Sequence, residues 1–194
     1  MSTGLLRCSW TAALLFAGLV AGAHAEQARR WDFRVYLNDD AIGHHRFALK
    51  REGAFAELKS DARFDVRILF FNAYRYAHQA TERWQGNCLE ALQSRTDDNG
   101  KQLSVSLSGR ELDGCLMSYA YWNRDILRQG RLLNAQTGAI DPIKVARVGE
   151  ERIQARRESM PATRYRISGP KHPIDLWYSS AGEWLALEST LEGG

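Results

Sequence analysis

Residues 61–70, DARFDVRILF, constrain this chain more than any other segment. Ala62, Phe64, Val66, Ile68 and Phe70 alternate with Asp61, Arg63, Asp65 and Arg67. A period of two places one set on each side of a β-strand, so the segment has one apolar face to bury and one charged face for water.

The same period runs through most of the chain. Trp31, Phe33, Val35 and Leu37 share one face before a turn at Asn38-Asp39-Asp40. His45, Phe47 and Leu49 alternate with Arg46 and Lys50 after Gly43, and Gly53 marks another turn. Phe71-Asn72 reads as a short connection, after which Tyr74, Tyr76, His78, Ala80, Glu82 and Trp84 share a face. Gly86-Asn87 turns the chain into a strand over 88–96. Asn99-Gly100 predicts a hairpin, because both residues accept the positive φ of a type I′ turn, and Leu103, Val105 and Leu107 alternate beyond it. Further strands are predicted over 143–148, 152–157, 163–168, 174–179 and 184–191, punctuated by Gly149, Pro161, Gly169-Pro170 and Ala181-Gly182.

Residues 114–138, GCLMSYAYWNRDILRQGRLLNAQTG, interrupt the rhythm. Asn123 can cap a short helix over 124–129 that ends at Gly130. The expected fold is all-β. An antiparallel meander of about 11 strands forms a strongly curved, incomplete barrel, with one short helix capping a mouth or filling a gap in its wall. An orthogonal sandwich is the alternative.

The N-terminus predicts export. Arg7 precedes the apolar run 11–22, and Ala23-His24-Ala25 offers a cleavage site after Ala25. Residues 1–25 are therefore read as a signal peptide and 26–194 as a single β-rich domain, periplasmic or secreted. The run is shorter than the roughly 20 residues a membrane span needs, and no second one follows. Cys8 leaves with the signal, and Cys88 and Cys115 remain to form a disulfide in an oxidising compartment. The formal charge of +3 is spread over interspersed signs, which gives no support to a nucleic-acid partner.

Three groups of residues could carry chemistry. His45, His78 and Glu82 fall on inward faces, but their spacing matches no metal-ligand motif. His78 and Glu82 could serve as acid and base, yet two pleats put their Cα atoms roughly 13 Å apart. An inward Glu82 also needs a partner such as an arginine. No G-x-S-x-G elbow and no phosphate-binding glycine loop occurs. The third group is Tyr119, Tyr121, Trp122, Asn123, Asn134, Gln136 and Thr137, with Trp177 and Tyr178 on a later strand. Flat apolar faces beside amides suit a cleft for a glycan, peptide or amphiphile. The same residues would equally plug a barrel end and satisfy loop backbone groups.

Several phrases recur together: Trp31-x-Phe33-x-Val35, Ile42-Gly43-x-His45-x-Phe47, Tyr74-x-Tyr76-x-His78-x-x-x-Glu82-x-Trp84, Ala120-Tyr121-Trp122-Asn123 after Gly114-Cys115, Leu132-Leu133-Asn134-x-Gln136-Thr137-Gly138, and Asp175-Leu176-Trp177-Tyr178. In these the chain resembles a family of exported bacterial proteins, domain of unknown function 6134. It departs from the family pattern at Arg124 and Ala135, where that pattern has proline. The resemblance implies export and a β-rich fold and carries no reaction with it. A looser similarity, of fold alone, links the chain to envelope β-barrel domains with lipoprotein-carrier-like architecture. The expected function is binding of a hydrophobic, lipid-like or glycan ligand in a curved-sheet cavity open near Trp122, without a cofactor. An envelope hydrolase working from His78 and Glu82, or a non-catalytic structural or assembly protein, is the alternative.

Overall fold

The computed structural model of the chain describes residues 27–68, 71–169 and 172–189. The expected signal peptide, Leu69 and Phe70, and the tail from residue 190 onward lie outside them.

The first six strands pair antiparallel in chain order: β1 (Gln27–Leu37), β2 (Asp40–Glu52), β3 (Phe55–Ile68), β4 (Phe71–Gln85), β5 (Cys88–Asp98) and β6 (Lys101–Ser108). Phe71 and Asn72 open β4 rather than connecting two strands. Two-residue turns join β1 to β2, β2 to β3, β4 to β5 and β5 to β6, and Asn99 and Gly100 take the positive φ values of 51° and 94° that a type I′ turn requires. The register aligns every second side chain into rows that cross the sheet. One such row is Trp31, Phe47, Ser60, Ala80, Ser94 and Val105. Trp31, Phe47 and Ala80 from this row belong to the buried core, while their sequence neighbours face solvent.

After β6 the chain forms a 3₁₀ turn at Gly109–Leu112, an irregular stretch, and a second 3₁₀ segment at Arg124–Arg128. Asn123 caps that segment by accepting the Asp125 backbone N–H at 3.0 Å. It is a 3₁₀ turn in place of the expected helix, and no α-helix occurs among the described residues. Strands β7 (Arg131–Leu133) and β8 (Ile140–Pro142) make a two-stranded sheet. Strands β9 (Lys144–Ala155), β10 (Glu158–Ser168), β11 (Ile174–Tyr178) and β12 (Trp184–Ser189) make a four-stranded antiparallel sheet. Gly149 does not end a strand. It sits at a bulge inside a continuous β9, where Val148 is the extra residue and is pushed 52% into solvent.

The barrel expectation is corrected: no sheet closes or curls strongly. Closure would need β1 and β12 to share backbone hydrogen bonds. No backbone pairing joins them among the described residues; the Phe33 and Trp184 rings lie 4.4 Å apart, and Arg29 pairs at 2.8 Å with Glu183, just before β12. The physical reason lies in residues 112–143. Leu112, Leu116, Met117, Ile126, Leu132 and Leu133 are buried in the same core as Trp84, Leu92, Leu176 and Tyr178. The segment thus supplies the layer that covers the six-stranded sheet, and the sheet has no need to roll over its own apolar face.

Candidate functional site

The face of the six-stranded sheet that turns away from the core carries a groove of about 1060 Å³. Two rows of side chains form its walls and run across all six strands. One row is Arg30, Ala48, Lys59, Thr81, Gln93 and Ser106; the other is Asp32, Arg46, Asp61, Gln79, Arg95 and Ser104. Alternation explains the hollow. Residues of the Trp31-to-Val105 row point inward, so only their backbone forms the floor. Ala48 on one wall is small, and the β4–β6 half is uncharged apart from Arg95.

Hydrogen bonds fix part of the wall. Asp61 accepts Gln79 Nε2 at 2.9 Å and pairs with His44 Nε2 at 3.1 Å. The Gln79 amide, with His44 and Arg63 beside it, holds the Asp61 carboxyl below its ordinary value. Arg46 reaches Asp32 at 3.3 Å. Arg30 and Arg95 make no ion pair among the described residues, which leaves two cationic heads for an incoming group. None of the wall residues was singled out from the sequence. A signal was present, however: Gln79, Thr81, Gln93, Ser104 and Ser106 are uncharged on faces that elsewhere alternate Arg, Lys and Asp.

Residues 114–138 lie on the opposite face. The Cys88–Cys115 disulfide ties their start to β5, and Leu89 N–H donates to the Leu116 carbonyl at 3.0 Å. Most of the side chains singled out there serve the segment itself. Asn134 Oδ1 accepts the Gln136 and Thr137 N–H groups at 2.9 and 3.3 Å, and Thr137 Oγ1 accepts the Ala139 N–H at 3.2 Å. Asn123 Nδ2 donates to Asn87 Oδ1 at 2.9 Å. Tyr119 donates to Asp141 at 2.9 Å, and Tyr76 donates to Gln136 Oε1 at 3.0 Å. Trp122 is only 7% exposed, packed edge-on to Trp84 at 5.6 Å with the Arg51 guanidinium 5.0 Å from its ring centre. The Tyr121 ring meets that of Trp184 at 5.3 Å with its plane tilted by 44°, and Tyr178 is fully buried. Trp177 belongs elsewhere. It packs with Ala162 and Leu185 in a second cluster and donates to Glu151 at 2.6 Å.

His45, His78 and Glu82 do face inward, but they do not converge. His78 Nδ1 bonds Thr96 Oγ1 at 2.8 Å, while Glu82 Oε2 accepts the Trp84 indole N–H at 3.1 Å. In place of an arginine, Glu82 has that indole and the nearby Ser118 hydroxyl, which favours the ionised form without making a hydrogen bond of ordinary geometry. Burial outweighs both and pushes the Glu82 carboxyl up to about 7. Burial, with His78 next in effect, pushes the His45 imidazole down to about 4. The buried His45 Nε2 has no hydrogen-bond partner. His44 points the other way, into solvent-side contact with Asp61, as strand alternation requires. Among the described residues no three His, Cys, Asp or Glu side chains cluster as a metal-ligand set.

Comparison with curated proteins and with solved structures gives no match. The looser likeness to lipoprotein-carrier-like barrels is therefore not shown. Residues 33–194, most of the chain, match the family described as Domain of unknown function (DUF6134), and the chain belongs to that family.

Proposed function

We propose that this is an exported, periplasmic or secreted envelope protein that binds an extended anionic glycan in the groove across β1–β6. The groove's cross-strand course carries the reading. Five inter-strand spacings of about 4.8 Å make a channel roughly 24 Å long, suited to a linear chain rather than a compact solute. Gln79, Thr81, Gln93, Ser104 and Ser106 supply amides and hydroxyls that can both donate and accept, as sugar hydroxyls do. Arg30 and Arg95 favour acidic substituents. A lipid-like ligand has less support, because the side chains near Trp122 fill the space between the sheets. Catalysis by Glu82 has less support still, because at 5% exposure its carboxyl would meet substrate only if the core opened.

Titration with acidic and neutral envelope polysaccharide fragments, read by calorimetry, tests the proposal. The acidic fragments bind, and the Gln93→Ala/Arg95→Ala double variant weakens them by at least about tenfold, or about 1.4 kcal/mol. Native mass spectrometry of protein purified from its own compartment gives the opposing result. A co-purified lipid, with no glycan affinity sensitive to Gln93 and Arg95, would overturn the reading.

A further inference from the structure

We infer that β6 is an interface for a second copy of the chain, pairing antiparallel with its own counterpart about a two-fold axis at Val105. The two larger sheets end in four edges: β1, β6, β9 and β12. Natural sheets protect such edges with charge or brevity. β1 carries Arg29, Arg30, Asp32 and Arg34, and β9 carries Lys144, Arg147, Glu150, Glu151 and Arg152. β12 is six residues long and bears Glu188. β6, KQLSVSLS, has eight residues, and its one charge is Lys101 at the turn.

The backbone of β6 is also open. The two-residue turn at Asn99-Gly100 makes Asp98 and Lys101 the hydrogen-bonded pair that closes the hairpin. Pairs alternate from there, so Leu103, Val105 and Leu107 direct their N–H and C=O groups at β5. Gln102, Ser104 and Ser106 direct theirs at the free edge, and among the described residues none of them bonds a backbone group beyond the β5 pairing. Ser108 differs, since its N–H already donates to Glu111 Oε2 at 3.1 Å.

Self-pairing satisfies those groups in one register. With Val105 opposite Val105 of the second copy, Ser104 faces its Ser106, Leu103 faces its Leu107 and Gln102 faces its Ser108. Every apolar residue then meets an apolar residue on the core side, and every polar residue meets a polar one on the groove side. The outward-facing Ser104 and Ser106 fall at hydrogen-bonded pairs, as antiparallel geometry requires. The contact is isologous and closes on itself. A slip of one residue would set serines against Leu103 and Val105 on mismatched faces. The pairing has a consequence that rests on the groove reading. Ser104 and Ser106 end the two groove walls, so the axis at Val105 joins each wall to the opposite wall of the copy. Two grooves then run on as one channel across twelve strands, roughly 53 Å at about 4.8 Å per strand spacing.

Light scattering over a concentration series tests the interface, and cysteine pairing tests the register. The chain is expected to reach twice its own mass. Under mild oxidation, Ser104→Cys mixed with Ser106→Cys forms a disulfide-linked dimer, whereas neither variant cross-links alone. Both positions are exposed serines, so both variants fold. A monomer at every concentration overturns the interface, and Ser104→Cys cross-linking to itself overturns the axis at Val105. Loss of the glycan reading is distinguishable. A chain that dimerises but binds no glycan keeps the interface and loses the groove, and a monomer that binds glycan does the reverse.

Discussion

Tyr178 donates its hydroxyl to the Tyr121 carbonyl oxygen at 2.7 Å, bonding β11 of the four-stranded sheet to the segment packed on the six-stranded one. Tyr178 is fully buried, so Tyr178→Phe leaves a carbonyl without its donor where water does not readily reach. The expected loss is about 1–3 kcal/mol. Urea unfolding checks it as a lower midpoint with an unchanged slope.

The Cys88–Cys115 disulfide spans 27 residues of sequence. In the chain-entropy account, closing a loop of that length stabilises by about 3–4 kcal/mol. A Cys88→Ser/Cys115→Ser variant should lose about that much, and reductant should lower the unfolding midpoint of the wild type to the same point. A midpoint that stays put in both experiments would mean that Leu89 and Leu116 hold the segment without the cross-link.

Stability should respond to pH through opposed buried groups, Glu82 on one side and His45, with His78 lowered by burial in the same sense, on the other. Glu82 holds its proton more tightly folded than unfolded, so stability falls as pH rises from 4.5 through about 7. His45 holds its proton less tightly when folded, so stability is lost as pH falls from 6.5 towards about 4. The Glu82 and His45 shifts each correspond to at most about 3 kcal/mol. The slopes offset one another where the two ranges overlap. Glu82→Gln should therefore leave a profile that rises with pH through the acid range, and His45→Gln one that falls towards neutrality. Melting temperatures measured across this span distinguish the two.

Gly43 stands at the β1–β2 bulge, paired with Val35 while Tyr36 has shifted to Ala41. A Cβ there would lie 1.9 Å from the Arg63 carbonyl oxygen, a backbone atom that moves only with β3. Gly43→Ala should cost about 1–3 kcal/mol or more through this overlap. Gly53→Ala is the comparison. It meets no atom within 4 Å, and its φ of +59° carries only the left-handed backbone penalty of about 1–2 kcal/mol. Equal midpoint shifts in the two variants would show that the bulge adjusts.

Strand identity could be read from local pattern, because alternation is a property of neighbouring residues. The repeat from Asp61 to Ile68 became the second half of β3, Asn99-Gly100 made the hairpin turn, and Asn123 capped its short segment. That Lys144–Ala155 is one strand, ending in a turn at Arg156-Arg157 inside the predicted 152–157, could not be read that way. Gly149 signals a break equally well whether the chain turns or bulges, and the partner strand β10 decides between them. The candidate site was less accessible still. Aromatic and amide side chains drew attention to 114–138, where most satisfy one another, while the groove walls looked like ordinary solvent-facing residues.

By itself, then, the sequence determined that most of the chain is strand, which face of most strands is apolar, and where several tight turns fall, although Pro161 lies inside β10 and the β9–β10 turn falls at Arg156-Arg157. Those are settled by period, side-chain chemistry and permitted φ, all local. Only the tertiary structure decided that residues 112–143 cover the first sheet instead of leaving it to close on itself. The same holds for Glu82, whose hydrogen-bond partner is an indole rather than a cation, and for the polar rows that line up into a groove. Each depends on register and packing between residues far apart in the chain, and on the free energy of burying one surface against another rather than leaving it in water.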